Sequence, residues 1–116
     1  MQIFLYTLKR CRSLFMEYSI DHHGTSLIVT LRGEFLAKHH SSFRKLLDTL
    51  MNTEFSQCIF DIQHIRFIDS GGLGMLLMAQ DVLQTKNRQL VIRSPKNDVK
   101  KALLLANFEQ ILTIEF

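Results

Sequence analysis

Apolar and polar positions change their period along the chain, and each change marks a predicted strand or helix. The run SLIVTL at 26–31 is apolar and β-branched, which predicts a strand, and residues 17–21 are interpreted as a short strand that pairs with it in an antiparallel hairpin with its turn at His22-His23-Gly24. Gly33-Glu34 closes this hairpin. Ser41 and Ser42 are candidate N-caps of an amphipathic helix, whose apolar positions recur at helical spacing: Phe43, Leu46, Leu47 and Leu50.

The second half of the chain repeats this alternation. The run QCIFDI at 57–62 predicts a strand with Asp61 near its end, and residues 63–66 form a predicted loop. A broad apolar helix follows and ends at Lys86-Asn87, before a strand at 90–92. Ser94-Pro95 begins a last helix, with Pro95 near its first turn, and the apolar end of the chain predicts a final strand.

Strands that alternate with helices indicate crossover connections and parallel strand pairs, whereas the opening hairpin adds one antiparallel pair. The length of 116 residues suits one domain with one core. The sequence therefore predicts a single α/β domain, with a mixed four- to five-stranded sheet, an opening antiparallel hairpin and crossover helices.

Charge separates the first 15 residues from the rest. Lys9, Arg10 and Arg12 lie in this segment without an acidic residue, and they account for the whole net charge of +3. The remainder is balanced, which argues against a nucleic-acid partner because that function needs a concentrated basic face. We interpret residues 1–15 as a non-native or flexible extension, produced by an upstream start codon, and residues 16–116 as the domain; a short amphipathic membrane-surface arm is the alternative.

The lengths of the apolar runs and the cysteine usage indicate the cellular location that we expect for the protein. No apolar run reaches the roughly 18 residues of a membrane-spanning helix, so we expect no integral membrane segment. Cys11 and Cys58 have no paired spacing, and Cys58 lies in a strand-like run as a small buried hydrophobe. A reducing cytoplasm fits this cysteine usage, and the five histidines lack metal-ligand spacing, so neither a metal nor a cofactor is expected.

The run Asp69-Ser70-Gly71-Gly72-Leu73-Gly74 lies where an apolar strand gives way to an apolar helix. In the structural interpretation, Ser70 caps the helix and the glycines allow a sharp turn. A phosphate-binding loop is disfavoured, because Met75-Leu76 stands where the Walker motif needs Lys-Ser/Thr. A serine nucleophile is also disfavoured, because Ile68 occupies the first glycine of the hydrolase elbow. The remaining interpretation is covalent phosphorylation of Ser70, since a helix N-terminus accommodates a phosphate.

The stretch FDIQHIRFIDSGGLGMLLMA, residues 60–79, resembles the signature of the STAS domain of bacterial anti-sigma factor antagonists. LIVTLRGEF at 27–35 resembles the second strand of that family, and SPKNDVKKALLLANFEQIL at 94–112 resembles its last helix and the following turn. The likeness spans residues 16–116. Three positions depart from the family pattern: Gly71 replaces a common Ser or Thr, Leu36 a frequent Asp, and Asn107-Phe108 a Gly-Leu turn.

The resemblance implies a partner-switching regulator rather than an enzyme. In such a regulator, the unmodified domain binds an anti-sigma factor that is also its serine protein kinase; phosphorylation of Ser70 ends the binding, and a metal-dependent phosphatase of the PP2C type restores it. The implied partner-binding residues are Asp61, which matches the acid or amide ending the preceding strand, and the motif run from Asp69 and Ser70 through Gly71, Gly72, Leu73 and Gly74. The alternative functions are a non-switching STAS subunit of a transport or signalling complex, for example a lipid-transport ATPase, and a small ligand-binding or hydrolytic enzyme.

Overall fold

The computed structural model describes residues 16–116, so the interpretation of residues 1–15 lies outside the described part of the chain. The chain forms one five-stranded sheet whose strands lie side by side in sequence order. The first pair is antiparallel and the other three pairs are parallel, which confirms the predicted mixed sheet with crossover helices. The strands are β1 (Glu17–His23), β2 (Ser26–Phe35), β3 (Gln57–Ile68), β4 (Gln89–Arg93) and β5 (Thr113–Glu115).

Between residues 16 and 116, three α-helices supply the crossovers, and two short 3₁₀ turns complete the described fold. The helices are α1 (His40–Met51), α2 (Ser70–Thr85) and α3 (Asn97–Leu105), and the 3₁₀ turns are Ala37–His39 and Phe108–Gln110. None of the helices found between residues 16 and 116 is both long enough and apolar enough to cross a bilayer. The turn before the second 3₁₀ segment places Asn107 at φ 58°, the left-handed conformation that asparagine tolerates.

The core lies where apolar side chains of β2, β3 and β4 meet the apolar stripes of the helices. Phe43 of α1 stands at its centre, fully buried, with its ring edge-on to Phe35 at 5.3 Å and to Phe60 at 6.1 Å. Such edge-to-face pairs add packing energy beyond the burial of apolar area. Cys58 is buried as predicted, and burial raises the pKa of its thiol to about 12, which keeps it protonated and unreactive.

Both central strands are longer than the sequence predicts. β2 continues through Gly33-Glu34 to Phe35, and β3 continues through the predicted loop at 63–66 to Ile68. Both segments are polar, which is typical of loops. In the structure, the parallel pairing between β2 and β3 supplies their backbone hydrogen bonds. Two register shifts in this pairing mark bulges, which interrupt the side-chain alternation on which strand prediction depends.

The predicted starts of two helices are also wrong. α1 begins at His40, with His39 as its N-cap, so neither Ser41 nor Ser42 caps it; the 3₁₀ turn leads directly into the helix. α3 begins at Asn97 with Lys96 as its N-cap, which leaves Pro95 outside the first turn.

Phe43→Ala removes a ring that contacts two other aromatic side chains in a sealed part of the core. We expect a loss of about 3–5 kcal/mol in the free energy of unfolding, measured by urea titration. Phe116→Ala is the matched control, because Phe116 is 52% exposed, and its cost should stay under about 1 kcal/mol. Equal losses for the two variants would contradict this description of the core.

Candidate functional site

The carboxylate of Asp69 joins the start of α2 to the end of β2. Asp69 is the N-cap of α2, and its Oδ1 accepts a hydrogen bond from the Gly72 N–H at 2.8 Å. Its two oxygens also accept the N–H of Ala37, at 3.0 and 3.1 Å. The structure thus assigns the cap to Asp69, which corrects the interpretation of Ser70 as the capping residue. We call this three-residue arrangement of Asp69, Gly72 and Ala37 the Asp69 clasp.

Ser70 does not cap the helix, because Asp69 already does so. It occupies the first position of α2, and its side chain is exposed. Within residues 16–116, no hydrogen bond engages its hydroxyl. A serine that caps a helix turns its oxygen towards the backbone, whereas this hydroxyl is accessible to another molecule.

Electrostatics at this site favour the ionised form of Asp69. Partial burial raises the pKa of its carboxyl, but backbone hydrogen bonds from Gly72, Ala37 and Gly71 lower it, and the net result is a pKa below the ordinary value for aspartate. The carboxylate also lies at the positive end of the α2 dipole. Asp69 is therefore engaged in holding the backbone at the start of α2 and the end of β2.

Two glycines allow the backbone of α2 to approach the end of β2. A Cβ atom at Gly72 would overlap the carbonyl oxygen of Phe35, and a Cβ at Gly71 would overlap Ala37. Gly71 thus stands at a position where the family's serine or threonine would collide with the 3₁₀ turn of this chain. A Cβ at Gly74, in contrast, would meet nothing within 4 Å.

The predicted partner-binding residues fall into two groups. The run from Asp69 to Gly74 forms the first turn of α2, where Ser70 and Gly74 are exposed, Gly71 and Leu73 are partly exposed, and Gly72 is buried. Asp61 lies elsewhere, in the interior of β3 rather than at its end. Seven residues of extended chain separate it from Ile68, or about 23 Å at full extension.

Asp61 is buried and has partners of its own. Its Oδ2 forms an ion pair with Arg93 of β4 at 3.4 Å, and its Oδ1 accepts the Gln63 N–H at 3.2 Å. These contacts tie β3 to the end of β4. The role of Asp61 in partner binding stays a prediction, whereas its contribution to the sheet is visible.

Two features of the site carried no signal in the sequence. Ala37 contributes only a backbone N–H, which no side-chain pattern reveals. His39, whose position in the sequence gave no sign of burial, is buried, and its Nδ1 accepts the Leu36 N–H at 3.2 Å. Phe67 is 55% exposed two residues before Asp69, which adds an apolar surface to the site.

Within the described part of the chain, no group of three or more His, Cys, Asp or Glu could hold a metal ion.

The family model described as "Mlab, STAS domain" matches residues 18–113. The chain belongs to the STAS-domain family. This match confirms the resemblance seen in the sequence, and it covers the whole sheet except its two ends.

Known proteins similar to this STAS chain include two relatives and a solved structure. A STAS-domain containing protein of Pseudomonas aeruginosa (strain UCBPP-PA14) is 30% identical over 91 residues, which cover 78% of this chain and 89% of the relative. An anti-sigma F factor antagonist of Paenibacillus polymyxa is 24% identical over 102 residues, covering 85% and 86%. The Bacillus cell fate determinant SpoIIAA in its phosphorylated form superposes with a TM-score of 0.63 at 13% identity, covering 86% and 92%, and shares the fold.

Gly72→Ala and Gly74→Ala form a matched pair two residues apart on one helix. Gly72→Ala should lower the free energy of unfolding by about 1–3 kcal/mol, because the backbone carbonyl of Phe35 cannot move aside cheaply. Gly74→Ala should raise it by about 0.5–1 kcal/mol, since alanine favours a helix and space is available. Thermal or urea unfolding measures both, and a stabilising Gly72→Ala would contradict the close approach.

Asp69→Asn separates the charge of the clasp from its shape. The lowered pKa of Asp69 means that the carboxylate stabilises the folded protein above the unfolded pKa, about 4, and that this stability is lost as the pH falls through the lower folded pKa. Asparagine still caps the helix but does not titrate. We expect the variant to lose less stability than the parent between about pH 5 and pH 2, measured by urea titration; parallel curves would contradict the clasp.

Proposed function

We propose that the protein is a partner-switching regulator of the anti-sigma factor antagonist type. The surface around unmodified Ser70 binds an anti-sigma factor that acts as a serine protein kinase. Phosphorylation of Ser70 then ends the binding, and a phosphatase of the PP2C type restores it. The protein acts in the cytoplasm as a binding module and catalyses no reaction itself.

The observation that carries this proposal is the exposed, unengaged hydroxyl of Ser70 at the first position of α2. A kinase must reach the hydroxyl, and a partner must contact it, for one phosphate to control binding. Asp69 makes both possible because it takes over the capping of the helix. The relationship to an anti-sigma F factor antagonist and to SpoIIAA, a protein solved in a phosphorylated form, supports this function.

The fold is suited to holding a phosphate on Ser70 without rearrangement. The residue stands at the N-terminus of a helix of 16 residues, where free N–H groups and the dipole favour negative charge. The interaction of a phosphate with the helix N-terminus is worth about 0.3–2 kcal/mol and favours the phosphorylated protein. It keeps the phosphorylated protein folded, but it cannot expel a partner.

The free energy that releases the partner must therefore come from the interface between the two proteins. Near-complete switching requires roughly 5.5 kcal/mol of differential affinity. Burying an unpaired dianion in an interface, opposite an acidic group of the partner, supplies a cost of several kcal/mol. Ser70 must then lie inside the contact surface, and the partly exposed Leu73 and the exposed Gly74 provide a shallow apolar area beside it.

A hydrolytic function has less support. A serine nucleophile needs a base within hydrogen-bond reach, and in residues 16–116 neither a histidine nor a carboxylate bonds the Ser70 hydroxyl. The nearest carboxylate in sequence, that of Asp69, is held by backbone N–H groups. Binding, rather than catalysis, is the use of Ser70 that this geometry favours.

The test compares Ser70→Ala and Ser70→Asp against the purified partner by isothermal titration calorimetry. Ser70→Ala should bind like the parent and accept no phosphate from the kinase at this position, as intact-mass spectrometry measures. Ser70→Asp should bind about tenfold or more weakly, because it places a charge in the interface.

Ser41→Asp is the control, since it adds the same charge at an exposed serine in the first turn of α1, and it should bind like the parent. Equal affinities of Ser70→Ala and Ser70→Asp would reject the switch and favour a permanently docked STAS subunit.

A further inference from the structure

The 3₁₀ turn that precedes α1 lies directly against the helix start that carries Ser70. Ala37 of this turn donates its N–H to both carboxylate oxygens of Asp69, at 3.0 and 3.1 Å. A Cβ atom at Gly71 would overlap Ala37 as well, so Ala37 lies against the residues on both sides of Ser70. Lys38 follows Ala37 in the chain, and its Cα atom therefore lies within about 12 Å of the Cα atom of Ser70.

Lys38 carries a positive charge that the domain itself does not use. Its side chain is exposed, and among residues 16–116 its ammonium forms no ion pair and no hydrogen bond. The turn offers it no acidic side chain, because Leu36 stands where STAS domains frequently have Asp. An exposed lysine that is unpaired in the free protein can form an ion pair with another protein without giving up a contact of its own.

Along β3 and α2, the charged groups near Ser70 are already balanced. The carboxylate of Asp69 accepts backbone N–H groups. Arg66 and Glu34 line a cavity whose three basic and three acidic side chains offset each other. α2 carries no charged side chain in its first eleven residues, which span about 16 Å of the helix. Lys38 is therefore the charge next to Ser70 that has no counter-charge in residues 16–116.

The proposed switch determines the sign of charge that the partner presents at Ser70. A phosphate on Ser70 releases the partner most effectively when it meets an acidic group, because repulsion then adds to the cost of burying the dianion. The same acidic group is desolvated in the unmodified complex, where a carboxylate without a counter-charge is costly. Lys38 is the cation that lies in position to compensate it.

We propose that a carboxylate of the partner forms an ion pair with Lys38 when Ser70 is unmodified, and that a phosphate on Ser70 displaces this carboxylate. The inference rests on the proposed function, because it names the chemistry of the partner surface that meets Ser70. A phosphate has more charge and more acceptor oxygens than a carboxylate, so it binds the ammonium and repels the partner's acid at the same time. The partner is thus a protein with an acidic patch in its contact surface.

Lys38→Glu reverses the charge and tests the ion pair, with the partner protein of the Ser70 titrations as the probe. Its affinity for the partner should fall about tenfold or more, because two acidic groups then face each other. Lys86→Glu is the matched control and should bind like the parent. Lys86 is exposed at the other end of α2, about 24 Å from Ser70, which exceeds the screening length of physiological salt. Parent-like affinity of a folded Lys38→Glu would overturn the proposal.

Carbodiimide crosslinking tests the ion pair in the unaltered protein. The reagent joins a lysine amine to a carboxylate without a spacer, so it reports pairs that are in contact. Peptide mass spectrometry of the unmodified complex should find Lys38 joined to an Asp or Glu of the partner, and phosphorylation of Ser70 should abolish this product. A complex crosslinked only through other lysines, such as Lys86, would show that Lys38 stays solvated and would overturn the proposal.

Two patterns of affinity distinguish this ion pair from the phosphorylation switch. A weakened Lys38→Glu, together with equal affinities of Ser70→Ala and Ser70→Asp, would reject the switch and leave the ion pair. A parent-like Lys38→Glu, together with a weakened Ser70→Asp, would reject the ion pair and leave the switch.

Discussion

The Asp69 clasp is the interaction on which the site depends. One carboxylate completes the N-terminus of α2 through Gly72 and holds the end of β2 through the N–H of Ala37. Because the aspartate satisfies the helix, the neighbouring serine is left outside with an unengaged hydroxyl. A rigid helix start beside an accessible hydroxyl allows a change of charge without a change of shape.

The site lies at the end of the β2–β3 pairing, which is the longest strand pairing of the described sheet. β2 and β3 both extend beyond β4, and their ends carry Ala37 and Asp69 on the segments that follow. Among residues 16–116, the same extension carries β3 past the last residue that it pairs with β4, Asp61.

Sequence reasoning captured the parts of this fold that depend on apolar burial. Runs such as SLIVTL and QCIFDI, and the helical spacing from Phe43 to Leu50, specify which faces meet, and these elements are confirmed. Sequence reasoning failed for the features that depend on backbone hydrogen bonds, because side-chain patterns do not reveal them. Ala37 acts only through its N–H, and the bulged half of β3 lacks the regular apolar alternation by which strands are predicted. Asp69 and Ser70 are both good capping residues, so only the positions of the Gly72 and Ala37 N–H groups distinguish them.

The most direct test of this account uses protein phosphorylated stoichiometrically on Ser70, compared with the unmodified protein by amide NMR spectra and by partner titration. The account predicts that resonance changes stay near the Asp69 clasp and the first turn of α2, that the core resonances are retained, and that affinity for the partner falls by orders of magnitude. Resonance changes throughout the sheet, or an affinity that phosphorylation leaves unaltered, would contradict it.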